Sequence, residues 1–222
     1  DDDAAVTFEA LEKGAVDFFA KPGGEVSMEV SRLGDQLIST IQSVADADLR
    51  RAERSAATAT TQIPSASKGP SGSSRSHTQG FDDTRTVVIG SSTGGPNAVE
   101  QVMSELPGGD CRVLIVQHMP EAFTSRFADR LDGATSEYTV REASDGDRIS
   151  AGEALVARGG HHMEIAGYRN GRIRIGLIDD DLGHSVMPAV NVTMESAAET
   201  ITDPLTGVIL TGMGADGAEG IC

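Results

Sequence analysis

Residues 85–222 predict an α/β fold: a doubly wound, mostly parallel sheet with an antiparallel hairpin excursion. Three observations point there. Short, nearly unbroken apolar runs at Thr86–Ile89, Arg112–Val116 and Pro204–Leu210 read as strands buried on both faces. Helical patterns at Pro96–Glu105, Ala122–Leu131 and Ala189–Thr200 alternate with them, the order that joins parallel strands by crossovers. Between Tyr138 and Ile178 the pattern turns strand-rich, and Tyr168-Arg169-Asn170-Gly171-Arg172 carries the Asn-Gly pair of a tight hairpin.

Upstream, the chain opens with a helix expected over Ala4–Lys13, with Val6 and Leu11 at helical spacing and Gly14 as its stop. Val16–Ala20 reads as a short strand, closed by Lys21-Pro22-Gly23-Gly24. Val26–Val44 then places Val30, Leu33, Leu37, Ile41 and Val44 near one helical face. Two helices and one strand cannot cover a sheet, so residues 1–46 read as the tail of a larger α/β domain. Residues 47–84 are rich in Ser, Thr, Gly and Ala and hold too little apolar surface to offset the entropy of ordering. They read as a linker, with His77 solvated inside it.

The charge balance narrows the class. Asp and Glu number 34 against 18 Lys and Arg, giving a formal charge of −16, and the only lysines are Lys13, Lys21 and Lys68. Such a surface repels nucleic acid and anionic lipid. It suits a cytoplasm of very high salt, where screening removes the self-repulsion. A halophilic source is therefore expected, with an ordinary acidic cytosolic protein as the alternative; a chain that stayed folded and active in dilute buffer would count against the first. No apolar run approaches the roughly 18 residues of a membrane span, and Asp1-Asp2-Asp3 opens no signal peptide. A cytoplasmic protein is expected. Cys111 and Cys222 make no disulfide framework, and Cys111 reads as a buried structural thiol.

The loop after the first buried strand, Gly90-Ser91-Ser92-Thr93-Gly94-Gly95-Pro96, is the most informative stretch. It joins a strand to a helix opened by Pro96 and puts a hydroxyl at the bend, beside N–H groups that favour negative charge. Its glycines do not fit the dinucleotide fingerprint. Gly90 and Gly95 have the P-loop spacing, but Pro96 and Asn97 stand where Lys and Ser/Thr belong. A nucleophilic Ser92 would need a base and an orienting acid. His118 follows the second buried strand and Asp216 follows the third, so all three could converge beyond the strand ends. Each also has a plainer reading: Ser92 as a helix cap, His118 as a structural histidine, Asp216 as a turn residue. No metal site is expected. His161 and His162 would point to opposite faces of a strand, and the Asp179–Asp181 loop before His184 lacks alternating calcium ligands.

Ile89–Gly95, Gln117-His118-Met119-Pro120, Gly160-His161-His162-Met163-Glu164 and Leu210–Gly217 together resemble the chemotaxis protein-glutamate methylesterase family (CheB). The blocks keep the family's order and span essentially all of residues 85–222. Ala10–Phe18 and Lys21-Pro22 are similar to the end of a response-regulator receiver domain, which precedes the esterase domain in this family. The resemblance implies a cofactor-free serine esterase with Ser92 as nucleophile, His118 as base and Asp216 as orienting acid. Thr93 and Met213 would line the site, with the Met213 N–H and the helix start after Gly95 near the oxyanion. The implied substrate is a glutamyl γ-methyl ester on a cytoplasmic chemoreceptor helix, with deamidation of receptor glutamines as a companion activity. The chemotaxis histidine kinase would be a partner through the full receiver domain, where Lys21 would face the phosphoryl group.

Two departures stand out. The family usually carries an aspartate where this chain has Asn191, and Thr193-Met194-Glu195-Ser196 replaces an apolar-aromatic run; both are expected to alter substrate-rim contacts and to leave Ser92, His118 and Asp216 untouched. The part of a receiver domain that would hold the phosphoacceptor aspartate is not in the sequence, so the chain reads as an internal fragment without phosphorylation control. Competing classes are a nucleotide-binding α/β module and a catalytically silent interaction domain. Methanol release from methylated receptor membranes separates them from an esterase.

Overall fold

A computed structural model describes residues 2–13, 15, 17–18, 34, 37–38, 40–42, 84–180 and 182–221. Among the described residues, β1 (Arg85–Ser91), β2 (Cys111–Gln117), β3 (Thr139–Glu142), β5 (Glu153–Val156) and β8 (Leu205–Ile209) form a five-stranded parallel sheet. Its order is β3-β5-β2-β1-β8. Every pairing in it is parallel, with β1 at once beside β2 and β8. The remaining strands, β4 (Arg148–Ile149), β6 (His162–Arg169) and β7 (Arg172–Ile178), form a separate antiparallel sheet of order β4-β7-β6. The expected antiparallel excursion thus forms a second layer.

Both faces of the parallel sheet are buried, which is why its strands read as continuous apolar runs. Ile89, Val113, Ile115 and Val156 face one core with Val99 and Met103 of α2 (Gly95–Glu105) and Phe127 and Leu131 of α3 (Glu121–Ala134). The alternating residues Val88, Leu114, Val116 and Leu155 face the other. There they meet Met163, Ile165, Ile173 and Ile175 of the second sheet and Val190, Met194 and Ala197 of α4 (Val190–Thr200). Each fully buried aliphatic side chain stabilises by about 1.5–3 kcal/mol, so the two cores set the layer order. The Asn170-Gly171 turn joins β6 to β7 with both φ angles positive, 52° and 73°, as a tight hairpin requires.

Arg112 ties the two sheets together from a fully buried position. Its Nε donates to Thr86 Oγ1 at 2.8 Å, its Nη2 to Asp203 Oδ2 at 2.6 Å, and its Nη1 to the Gly171 carbonyl. The guanidinium also lies 5.4 Å from the Tyr168 ring centroid.

The N-terminal helix α1 (Asp2–Glu12) packs into this domain. Phe8 and Leu11 are buried in the core that holds Phe127, and the Phe8 and Phe127 rings stack with centroids 6.3 Å apart. Phe18 lies 4.7 Å from Phe123, and Asn97 Nδ2 donates to the Ala15 carbonyl at 3.4 Å. The strand expected over 16–20 is not seen at its described positions: Asp17 and Phe18 have no regular structure, because Phe18 is taken up by packing and not by a strand partner. Of the helix expected over 26–44, the described residues are helical, and Leu37 and Ile41 are exposed. Lys21, His77, Cys222 and nearly all of the expected linker lie outside the described residues.

Candidate active site

Ser92, His118 and Asp216 all line one cavity of about 220 Å³ at the carboxyl ends of β1, β2 and β8, with Thr211, Gly212 and Met213 on its wall. Strand register explains the convergence. Ser91 pairs with Gln117, so the residue after each strand emerges at the same level, and His118 N–H donates to the Ser91 carbonyl at 3.0 Å. On the other side, Ser92 N–H donates to the Thr211 carbonyl at 2.9 Å. That approach requires glycine at 212, where a Cβ would lie 2.8 Å from Ser92 Cβ.

His118 Nε2 and Asp216 Oδ2 are 2.7 Å apart, with both side chains largely buried. Asp216 is in turn held by the start of α4: Val190 N–H donates to Oδ2 at 2.6 Å and Asn191 N–H to Oδ1 at 3.1 Å. The helix has no side-chain cap of its own, so the Asp216 carboxylate fills that role from another part of the chain. Burial pushes the Asp216 carboxyl up, but the hydrogen bonds from His118, Val190 and Asn191 outweigh it and hold the group below its ordinary value. A carboxylate so placed accepts from the imidazole, which puts the ring proton on Nε2 and leaves Nδ1 as the basic nitrogen.

Two further residues fasten this arrangement, and one of them is Asn191, whose departure from the family was expected to bear on the substrate rim alone. Gln117 is buried; its Oε1 accepts from Ser91 Oγ at 2.6 Å, and its Nε2 donates to the carbonyls of Ser92 at 2.9 Å and His118 at 3.0 Å. One amide thus spans the exits of β1 and β2. Asn191 Oδ1 accepts the N–H groups of Gly217 at 2.8 Å and Gly220 at 3.0 Å, fixing the turn that carries Asp216. Neither link is readable from spacing, since both depend on where distant strands end.

Other expected site residues fall differently. Met213 lines the cavity and is 46% exposed. Thr93 does not line it: its side chain interacts with Asp17, whose carboxyl is pushed up by burial, and its carbonyl accepts from Thr211 Oγ1 at 3.0 Å. The helix start after Gly95 has less to offer an oxyanion than expected. The Gly95 N–H is spent on the Ser92 carbonyl at 2.7 Å, and Pro96 has none. Cys111 is half-buried, not fully buried, and burial pushes its thiol up. Among the described residues, no group of three His, Cys, Asp or Glu side chains could hold a metal ion.

The CheB methylesterase family model matches residues 87–222. The protein-glutamate methylesterase/protein-glutamine glutaminase of Haloarcula marismortui is 56% identical over 229 residues, covering all of this chain and 62% of that protein. Its namesake from Natronomonas pharaonis is 53% identical over 222 residues, covering all of this chain and 61% of that protein. The chain therefore spans about 60% of the length of these curated relatives. The crystal structure of the Thermotoga maritima CheB methylesterase catalytic domain is similar at 41% identity and a TM-score of 0.56, over 61% of this chain and 71% of that one.

Proposed function

The chain belongs to the CheB methylesterase family, and from that membership we propose that it hydrolyses γ-methyl esters of glutamate on chemoreceptor helices. The observation that carries the reading is the His118–Asp216 contact on the wall of the cavity that Ser92 also lines. In this mechanism Ser92 Oγ attacks the ester carbonyl as His118 Nδ1 takes its proton. Asp216 holds the opposite ring nitrogen and stabilises the imidazolium. This is the reverse of the chymotrypsin-type arrangement, in which the acid holds Nδ1. Collapse of the tetrahedral intermediate expels methanol, protonated by His118, and leaves a glutamyl ester on Ser92. Water then attacks that ester with His118 again as base, releasing glutamate and the free serine. General base catalysis supplies about 10²–10⁴-fold, and an oxyanion donor, for which we propose the Met213 N–H, about 10²–10³-fold.

The same acyl chemistry with ammonia as leaving group would deamidate receptor glutamines, an activity printed in the names of the relatives. Residues 1–46 are, on this reading, the end of a receiver domain through which a chemotaxis histidine kinase would act. A cytoplasmic, high-salt setting fits the charge of −16, and no helix among the described residues is long and apolar enough to cross a membrane. The test is methanol release from methylated receptor membranes. Wild type should release it, and Ser92→Ala, His118→Ala and Asp216→Ala should not, with unchanged circular dichroism. Full activity in the Ser92→Ala protein would overturn the reading.

A further inference from the structure

The second sheet carries a cluster of arginines that the hydrolase chemistry does not use. Arg148, Arg169, Arg172 and Arg174 line a cavity of about 580 Å³ at the β6–β7 hairpin. Register places all four on the outer face of the sheet. Arg148 pairs with Arg174, Arg169 pairs with Arg172, and the intervening Ile149, Ile173 and Ile175 point into the core. Directly opposed side chains sit about 5 Å apart at Cβ, and like charges so placed destabilise a sheet. Along β7, Arg172 and Arg174 are about 7 Å apart.

No carboxylate relieves this crowding. Among the described residues Arg148, Arg169 and Arg172 have no ion-pair partner, and Arg174 donates only to the Ala166 carbonyl at 2.8 Å. The nearby acids Asp147 and Asp203 are already engaged by Arg141 and Arg112. Such an unneutralised patch on a chain of net charge −16 is a local reversal of the surface.

We propose that this arginine face docks an acidic peptide segment, whose carboxylates take the guanidinium groups in pairs. Planar, bidentate recognition of carboxylates is what arginine does better than lysine. It also survives the screening of concentrated salt, where long-range attraction is lost. Carboxylates about 6–7 Å apart, as on alternate residues of a strand, match the spacing of Arg172 and Arg174. A phosphate backbone is the rival anion, and the oligothymidylate arm of the test below separates the two. The face lies at the amino-terminal end of β2, where Arg112 contacts Gly171, and so away from the cavity at the strand carboxyl ends. It would hold a partner while leaving the cavity open, and it does not depend on the hydrolase reading.

The test uses the full chain in potassium chloride at a concentration where circular dichroism shows it folded. The probe is a fluorescently labelled peptide of alternating glutamate and alanine, followed by anisotropy. Binding should weaken roughly tenfold for each of Arg172→Gln and Arg174→Gln, and hardly at all for Arg126→Gln, which makes the same change of charge on α3. Absence of binding, equal loss in the Arg126→Gln control, or tighter binding of an oligothymidylate than of the peptide would each overturn the proposal.

Discussion

Asp216 and Asn191 hold each other in place: Asp216 Oδ1 accepts the Asn191 N–H at 3.1 Å, while Asn191 Oδ1 accepts the N–H of Gly217 at 2.8 Å. The first contact fixes the carboxylate against α4, and the second fixes the turn that presents it. Asn191→Ala removes the acceptor for Gly217 and Gly220 and should cost about 1–3 kcal/mol in urea unfolding. It should also lower kcat for methanol release by about 10–100-fold with little change in KM, because the acid is misplaced and the substrate surface is not. Asn191→Asp keeps the acceptor oxygen and should restore most of kcat. Equal loss in both variants would show that geometry of this turn is not what matters.

The Asp216 carboxyl makes an acid-dependent contribution to stability. Its folded pKa lies below the ordinary value, so the stabilisation is complete above the unfolded pKa of about 3.9 and is lost as pH falls through the folded one. Asp216→Asn cannot titrate. The gap in unfolding free energy between wild type and Asp216→Asn should shrink as pH falls below about 4. A gap that went on widening below that pH would contradict the direction assigned to this group.

Gln117 offers a sharper test than a truncation. Gln117→Glu keeps the shape but replaces the donor that serves the Ser92 and His118 carbonyls with an acceptor. Two carbonyls then face a carboxyl oxygen in a buried site, which should cost about 2–4 kcal/mol in thermal or urea unfolding. Methanol release should fall with it, even though the Ser92, His118 and Asp216 side chains are all retained.

Arg112 is a stability residue with no contact to the site. Arg112→Met leaves Asp203, only 17% exposed, without its cation and should cost about 3–5 kcal/mol by urea unfolding. Adding Asp203→Leu should return part of that loss, since it removes the orphaned charge. No recovery would mean that the bonds to Thr86 and the Gly171 carbonyl carry the effect.

The sequence was most legible where burial on both faces dictates it. The strand expected at Arg112–Val116 is Cys111–Gln117, and the helix expected at Pro96–Glu105 is Gly95–Glu105. The Asn170-Gly171 hairpin could be read because positive φ has few residues to choose from. The strand-end placement of Ser92, His118 and Asp216 could be read for the same reason as the strands. Asp17 and Phe18 misled because apolar composition does not tell a strand from a segment that packs by one ring on Phe123. Thr93 was expected to line the site from the family resemblance, but its side chain is taken up by Asp17. The clamping amides of Gln117 and Asn191 were silent because a side-chain amide shows its partners only after remote strands are in register.

The position of β8 has a consequence in time. Strands β1 and β2 are neighbours in the chain and in the sheet, so Ser91 and Gln117 can meet as soon as residues 85–117 are made. The turn bearing Asp216 follows β8, which lies beyond β2, β5 and the whole second sheet in the chain yet joins the far side of β1. In synthesis the segments that carry Ser92 and His118 are therefore made well before the one that carries Asp216. On the proposed mechanism hydrolysis waits until β8 has joined β1 and brought the carboxylate to His118.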